Sequence, residues 1–194
     1  NGKENVSKKF GLRQLTVVGM LSAISIVLGL TGYGFIPLPV ARATIMHIPV
    51  IIGAILEGPV VGSLIGFIFG LFSIYQNITN PNLLSFAFLN PLVSVFPRIL
   101  IGISSYYAYR VIRSKNESLK IGVGAAAGTL TNTVGVLSAI YLIYAARYAE
   151  VKGISVEAAA GVIYGIALTN GIPEVIIAVI VTIPVILALR KIRK

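Results

Sequence analysis

The sequence predicts an all-α integral membrane protein with six transmembrane helices and both the N and C termini in the cytoplasm. Three observations carry that class. The chain is 56% hydrophobic and only 11% charged, with a mean hydropathy of +0.92, whereas soluble domains are roughly a quarter charged. Several apolar runs approach or exceed the roughly 20 residues that cross a hydrocarbon core of about 30 Å. The basic residues gather between those runs and not along one polar face.

The first helix is expected over residues 11–31, ending at Gly32-Tyr33-Gly34-Phe35-Ile36-Pro37. A shorter second helix covers 43–56 and turns at Glu57-Gly58-Pro59 into a third over 59–76. Asn80-Pro81-Asn82 separates this from a fourth over 85–112. The polar run from Arg113 to Ser118 precedes a fifth over 119–147, and Lys152-Gly153 a sixth over 159–190. Each break carries turn or solvation chemistry. The first helix is too long and too polar at its flanks for a cleaved signal peptide. The whole of 1–194 reads as one membrane domain with no soluble part.

Orientation follows from the basic residues, which favour cytoplasmic loops. Lys3, Lys8, Lys9 and Arg13 precede the first helix; Arg110, Arg113, Lys115 and Lys120 surround the fourth loop; Arg190, Lys191, Arg193 and Lys194 end the chain. Six spans put all three clusters on one side and leave Arg42, Arg147 and Lys152 on the other. A wrong helix count would scatter them.

Much chemistry is excluded. The chain has no cysteine, one histidine and six acidic residues, which leaves little material for a metal site or a catalytic dyad. The net charge of +10 belongs to membrane topology and not to a nucleic-acid surface. No G-x-x-x-x-G-K-[ST] loop is present, so the chain does not hydrolyse ATP itself. No H-E-x-x-H, G-x-S-x-G or paired intramembrane carboxylates appear. The expectation is no catalytic residue, no cofactor, no metal and no nucleic acid, with lipid as the surrounding solvent.

Gly58, Gly62, Gly66 and Gly70 recur at every fourth position of the third helix. Glycine costs a helix in water about 1 kcal/mol relative to alanine, but in lipid small residues permit the close contact on which helix association depends. The ridge is therefore expected to pack against a neighbouring helix. Similar seams are Gly19-xxx-Ala23, Gly124-xxx-Gly128 and Gly161-xxx-Gly165. One of them is expected to face outward, and the first helix, with Gly19, Ser22 and Ala23, is the best placed.

Polar groups inside a membrane are costly and mark function by default. Arg98 and Glu174 lie at similar depth in the fourth and sixth helices, with Asn132 in mid-helix and Asn170 one turn from Glu174. Asn90, Gln76 and His47 lie nearer helix ends, and Tyr75 and Tyr141 are candidate stacking or interface residues. Two readings stay open. Arg98 and Glu174 form a structural ion pair, or the set surrounds a water-filled pocket for a small polar molecule.

The blocks "HIPVIIGAILEGPVVGSLIGFIFGL", "NPLVSVFPRILIG", "GTLTNTVGVL" and "TNGIPEVIIA" together resemble the S components of energy-coupling factor (ECF) vitamin transporters, over nearly the whole chain. They look most similar to the branch that includes pantothenate, vitamin B6 and hydroxymethylpyrimidine carriers. The resemblance implies a plasma-membrane subunit that captures one vitamin and is powered by a scaffold subunit and two ATPase subunits. It implies a pocket opening outward under the loops Gly32–Arg42 and Asn77–Leu84. It also implies docking of the scaffold on small residues of the first helix, where Gly19-xxx-Ala23 stands in place of the family's A-x-x-x-A. Pantothenate is the first choice of vitamin, with Arg98 receiving its carboxylate and Asn132 and Asn170 its amide and hydroxyl groups. A pyridine or pyrimidine vitamin is the rival, with Glu174 taking a ring nitrogen or hydroxymethyl. A stand-alone secondary transporter and an intramembrane enzyme are alternatives of different class, and neither has a motif here.

Overall fold

Gly11 opens the first helix, its N–H donating to the Gln14 side chain at 2.9 Å, and α1 runs over Leu12–Thr31. The computed structural model describes residues 10–37 and 42–192. Lys3, Lys8, Lys9, Arg193 and Lys194 therefore lie outside the described residues. Strand β1 (Phe35–Pro37) pairs antiparallel with β2 (Arg42–Thr44), matching Phe35 to Thr44. This hairpin is one departure from an all-helical chain, and it displaces the start of the second helix. That helix was expected from residue 43, but α2 spans Ile48–Glu57, with Pro49 in its first turn. Proline there sacrifices an N–H that has no helical partner anyway.

Gly58 turns α2 into α3 (Pro59–Thr79) at φ +107, a conformation closed to most side chains. The stretch expected as one helix over 85–112 is three pieces: α4 (Ser85–Phe88), α5 (Pro91–Ser94) and α6 (Phe96–Val111). Pro91 and Pro97 each start a new piece because neither can donate to the preceding turn. Asn90 caps α5, its Oδ1 accepting from the Leu92 N–H at 2.9 Å, and Ser94 Oγ donates back to the Phe88 carbonyl. The last two helices exceed their expected ends: α7 covers Glu117–Lys152, with a kink at Tyr144, and α8 covers Val156–Ile192.

Among the described residues four helices, α1, α3, α7 and α8, are long and apolar enough to cross a membrane, while α2 has ten residues. At 1.5 Å per residue α7 and α8 are each roughly 50 Å long, well beyond the thickness of a hydrocarbon core. They pair with each other, and α6 packs against both α3 and α7.

Three of the four ridge glycines, Gly62, Gly66 and Gly70, make the α3–α6 contact, whereas Gly58 is the turn before α3 and a Cβ there meets nothing within 4 Å. A Cβ at Gly66 would lie 2.7 Å from the carbonyl carbon of Arg98, and one at Gly70 would lie 2.6 Å from Val95 Cα. Gly62 meets Ala54 on α2 and Gly102 on α6, both at 2.9 Å to Cα. Gly124 and Gly128 on α7 are filled against Ile55, Ile51 and Ser105. Two seams face away from the bundle. A Cβ at Gly19, Gly161 or Gly165 meets nothing within 4 Å.

Two apolar cores result. Ile51, Ile65, Ile101, Ile121 and Ile186 centre one that joins α2, α3, α6, α7 and α8. Val93, Ile140, Tyr148 and Ala159 centre another between α5, α7 and α8. Beyond the first core lies the basic end of the bundle. There Glu117 pairs with Arg190 and with Lys120 (2.8 Å), and the Tyr109 hydroxyl donates to Glu117 at 3.0 Å. At the same end Arg13 of α1 pairs with Glu57 of α2 at 3.0 Å. These contacts tie α1 to α2 and join α6, α7 and α8, where unpartnered termini would otherwise splay.

Candidate functional site

The opposite half of the bundle holds a cavity of about 600 Å³, within the range of small-molecule sites. Helix α3 presents Phe69, Ser73, Gln76 and Asn77 to it at helical spacing, and α6 presents Arg98. Asn132 and Thr133 come from α7, and Asn170 and Glu174 from α8. Phe35, Thr44 and Met46 line it from the hairpin side, Asn80 and Asn82 from the α3–α4 loop, and Phe88 from α4.

Arg98 is buried, 7% exposed. Its Nη1 donates to the Val93 carbonyl at 2.8 Å, while its Nε has no hydrogen-bond partner. The guanidinium lies over the rings of Phe69 (5.4 Å) and Phe88 (5.9 Å), which favour a cation electrostatically. Glu174, 4% exposed, is occupied elsewhere: Oε1 accepts the Thr44 N–H at 2.9 Å and Oε2 accepts the Thr133 hydroxyl at 2.7 Å. The ion pairs among the described residues join Arg13 to Glu57 and Glu117 to Lys120 and Arg190; none joins Arg98 to Glu174. Asn132 Oδ1 is likewise buried without a partner. The cavity thus offers a cation on α6 and an unpartnered amide oxygen on α7.

Residues 13–186 match the family model described as ECF transporter, substrate-specific component. The chain belongs to that family. Its relatives include the pantothenic acid transporter PanT of Lactococcus lactis subsp. cremoris strain MG1363, 33% identical over 204 residues that span 96% of this chain and 98% of the relative. The pantothenate transporter PanT of Leuconostoc mesenteroides subsp. mesenteroides is 33% identical over 156 residues, 76% of each chain. A substrate-specific component of an ECF transporter is a multi-pass protein of the cell membrane, which agrees with the apolar helices.

In this S component five of the nine candidate residues meet at the cavity: Arg98, Glu174, Asn170, Asn132 and Gln76. The other four lie outside it. Asn90 is used as the α5 cap, and its Nδ2 donates to the Tyr144 hydroxyl at 3.1 Å. His47 is fully buried behind the wall, 2.9 Å from Thr129 Oγ. Tyr75 is 55% exposed and stacks on Phe72. Tyr141 lines a separate apolar groove between α7 and α8.

Sequence reasoning missed Ser73, Thr44 and Thr133, and it placed Asn80 and Asn82 in a turn of the loop over the pocket without naming them as lining residues. The asparagines do hold that turn together: Asn77 Oδ1 accepts from Ser85 Oγ at 2.8 Å and from Asn82 Nδ2 at 3.3 Å. Gln76 Nε2 donates to the Gly29 carbonyl of α1 at 3.1 Å, fixing α1 beside the cavity. On α1 itself, Gly19 and Ala23 are exposed as expected of a docking face. Ser22 corrects that face. It turns inward, 4% exposed, with its hydroxyl against the bundle and not toward a partner.

Proposed function

We propose that this chain captures pantothenate for an ECF-type importer, with no reaction of its own. One observation carries the reading: Arg98 is a buried cation on the wall of a polar cavity, and among the described residues no carboxylate lies within salt-bridge distance of it, Glu174 being held by Thr44 and Thr133. Such a charge is costly to keep unless a ligand supplies the anion. Pantothenate has a carboxylate for Arg98, and an amide and hydroxyl groups for Asn132, Asn170 and Gln76. The two relatives named for pantothenate support the same choice. A B6-like ligand is less well served, because both oxygens of Glu174 already accept hydrogen bonds. Titration calorimetry of the purified protein tests this. Pantothenate is expected to bind and pyridoxine not, and the reverse order would overturn the assignment.

In this reading the whole chain is one transmembrane unit with six crossings, α2 and the α4–α5–α6 stretch each counting as one. Both termini are cytoplasmic. The support is that Arg13, Glu57, Tyr109, Lys120 and Arg190 gather at one end of the bundle while the cavity opens toward the other. A cysteine at Asn80, in a chain that otherwise has none, is expected to react with an impermeant maleimide added outside intact cells. Reaction only after permeabilisation would overturn the inside–inside topology.

Transport then needs a scaffold subunit and two ATPase subunits, and the exposed Gly19–Ala23 seam is the surface offered to the scaffold. Gly19→Leu or Ala23→Leu is expected to leave pantothenate affinity unchanged and to abolish ATP-driven uptake by the assembled transporter. Uptake at the wild-type rate in both variants would move the docking face elsewhere on the bundle.

A further inference from the structure

We propose that Glu174 is a positioning residue, whose carboxylate ties strand β2 at the cavity mouth to the α7–α8 wall and does not meet the ligand. This deepens the capture reading and rests on it only for the binding half of its test. The geometry is a three-element junction: α8 supplies the carboxylate, β2 the Thr44 N–H and α7 the Thr133 hydroxyl. Among the described hydrogen bonds, the Thr44–Glu174 bond is the one that joins the hairpin to α7 or α8. The others near the hairpin run within it or to α1, from the Gly34 N–H to the Leu28 carbonyl and from Ser25 Oγ to the Met46 carbonyl. Three strand residues on each side make a hairpin too short to be stable alone. Its position therefore depends on what holds it.

Across the mouth the α3–α4 loop is held differently, by the neutral Asn77–Asn82–Ser85 network. A carboxylate is a stronger acceptor than an amide or hydroxyl for a lone backbone N–H, which explains an acid at position 174 without invoking a ligand charge. The two roles differ in what they require. Glutamine at this position keeps the junction, with Oε1 accepting from the Thr44 N–H and Nε2 donating to Thr133 Oγ. It removes the charge that a ligand contact would need.

Hydrogen–deuterium exchange of the ligand-free protein in lipid nanodiscs reads the junction directly, since exchange reports local opening. Glu174→Ala is expected to speed exchange of the segment 35–46 by about tenfold while α3 and α6 keep their protection. Glu174→Gln is expected to stay within about twofold of wild type. Dissociation of pantothenate should follow the same order, fast in Glu174→Ala and near wild type in Glu174→Gln. Should Glu174→Ala not fold, Thr133→Val removes one donor and is expected to raise exchange of the same segment. Unchanged exchange in Glu174→Ala, or in Thr133→Val where it is the variant used, overturns the proposal. So does Glu174→Gln losing pantothenate while its exchange stays at the wild-type rate, because the carboxylate would then be a ligand contact. If wild-type protein does not bind pantothenate, the capture reading fails and the exchange comparison still decides the role of Glu174.

Discussion

Replacing Gly66 with leucine is expected to prevent assembly of the helix bundle. Helices in lipid gain little from burying apolar side chains against one another, so their association depends on van der Waals contact between close backbones. At Gly66 even a Cβ would sit 2.7 Å from the carbonyl carbon of Arg98, well inside ordinary contact distance. An overpacked side chain can often move aside, at a cost of about 1–3 kcal/mol. Here the obstacle is backbone, so α3 and α6 must separate along the ridge that includes Gly62 and Gly70. The loss should exceed the upper end of that range, a large part of a total stability of roughly 5–15 kcal/mol. Separation would also displace Arg98, whose own carbonyl is the obstacle, so fold and site fail together. Gly161→Leu is the control. It makes the same substitution in another small-xxx-small seam, where a Cβ meets nothing within 4 Å, and it should purify as a single species. Size-exclusion profiles and thermal unfolding in detergent separate the two. Wild-type melting and pantothenate affinity in Gly66→Leu would show that α3 and α6 do not touch along this ridge.

The ridge was legible in the sequence because spacing itself encodes the contact: small residues at every fourth position of an apolar run have few uses other than close helix packing. Polarity in apolar surroundings was legible too, because a polar group in lipid is costly, and Arg98, Glu174, Asn132 and Asn170 do line one cavity. What failed was mostly phase and local capping. Tyr141 shares a helix with Asn132 but stands about half a turn out of phase with it, so it faces the α7–α8 groove instead. Asn90 carries the same amide as Asn132, yet it precedes Pro91 and is used as a helix cap. Hydropathy averaged over a window does not register a break, so 85–112 looked continuous although Pro91 and Pro97 divide it. The contact of Thr44 with Glu174 uses a backbone N–H, which every residue but proline has, so no residue type advertises it. Depth alone left open whether Arg98 and Glu174 pair with each other; in the structure Glu174 finds its donors in Thr44 and Thr133 instead.

That separation of the two charges shapes the expected result at Arg98. Arg98→Met is expected to fold and to lose pantothenate binding by more than about a hundredfold, since a charge-assisted hydrogen bond is worth about 1.5–3 kcal/mol and a hundredfold corresponds to about 2.7 kcal/mol. Folding should survive because no carboxylate is stranded by the change: Glu174 keeps both its donors, and methionine is a flexible filler between the rings of Phe69 and Phe88. The change leaves the Val93 carbonyl without its Arg98 donor, a cost of about 1–3 kcal/mol that the fold is expected to tolerate. Were the two charges a structural pair, removing Arg98 alone would destabilise strongly and Arg98→Met with Glu174→Met would restore both fold and affinity. Here the double variant is expected to bind no better than Arg98→Met. The ligand can be varied as well as the protein. Pantothenol replaces the carboxylate by an alcohol, so wild-type protein should bind it far more weakly than pantothenate. Arg98→Met should bind the two about equally, because the group that distinguishes them is gone. Calorimetry of both proteins against both ligands closes a cycle that isolates the Arg98–carboxylate interaction from any general damage to the cavity. Full preference for pantothenate in Arg98→Met would remove Arg98 from the site and place the anion elsewhere in the cavity.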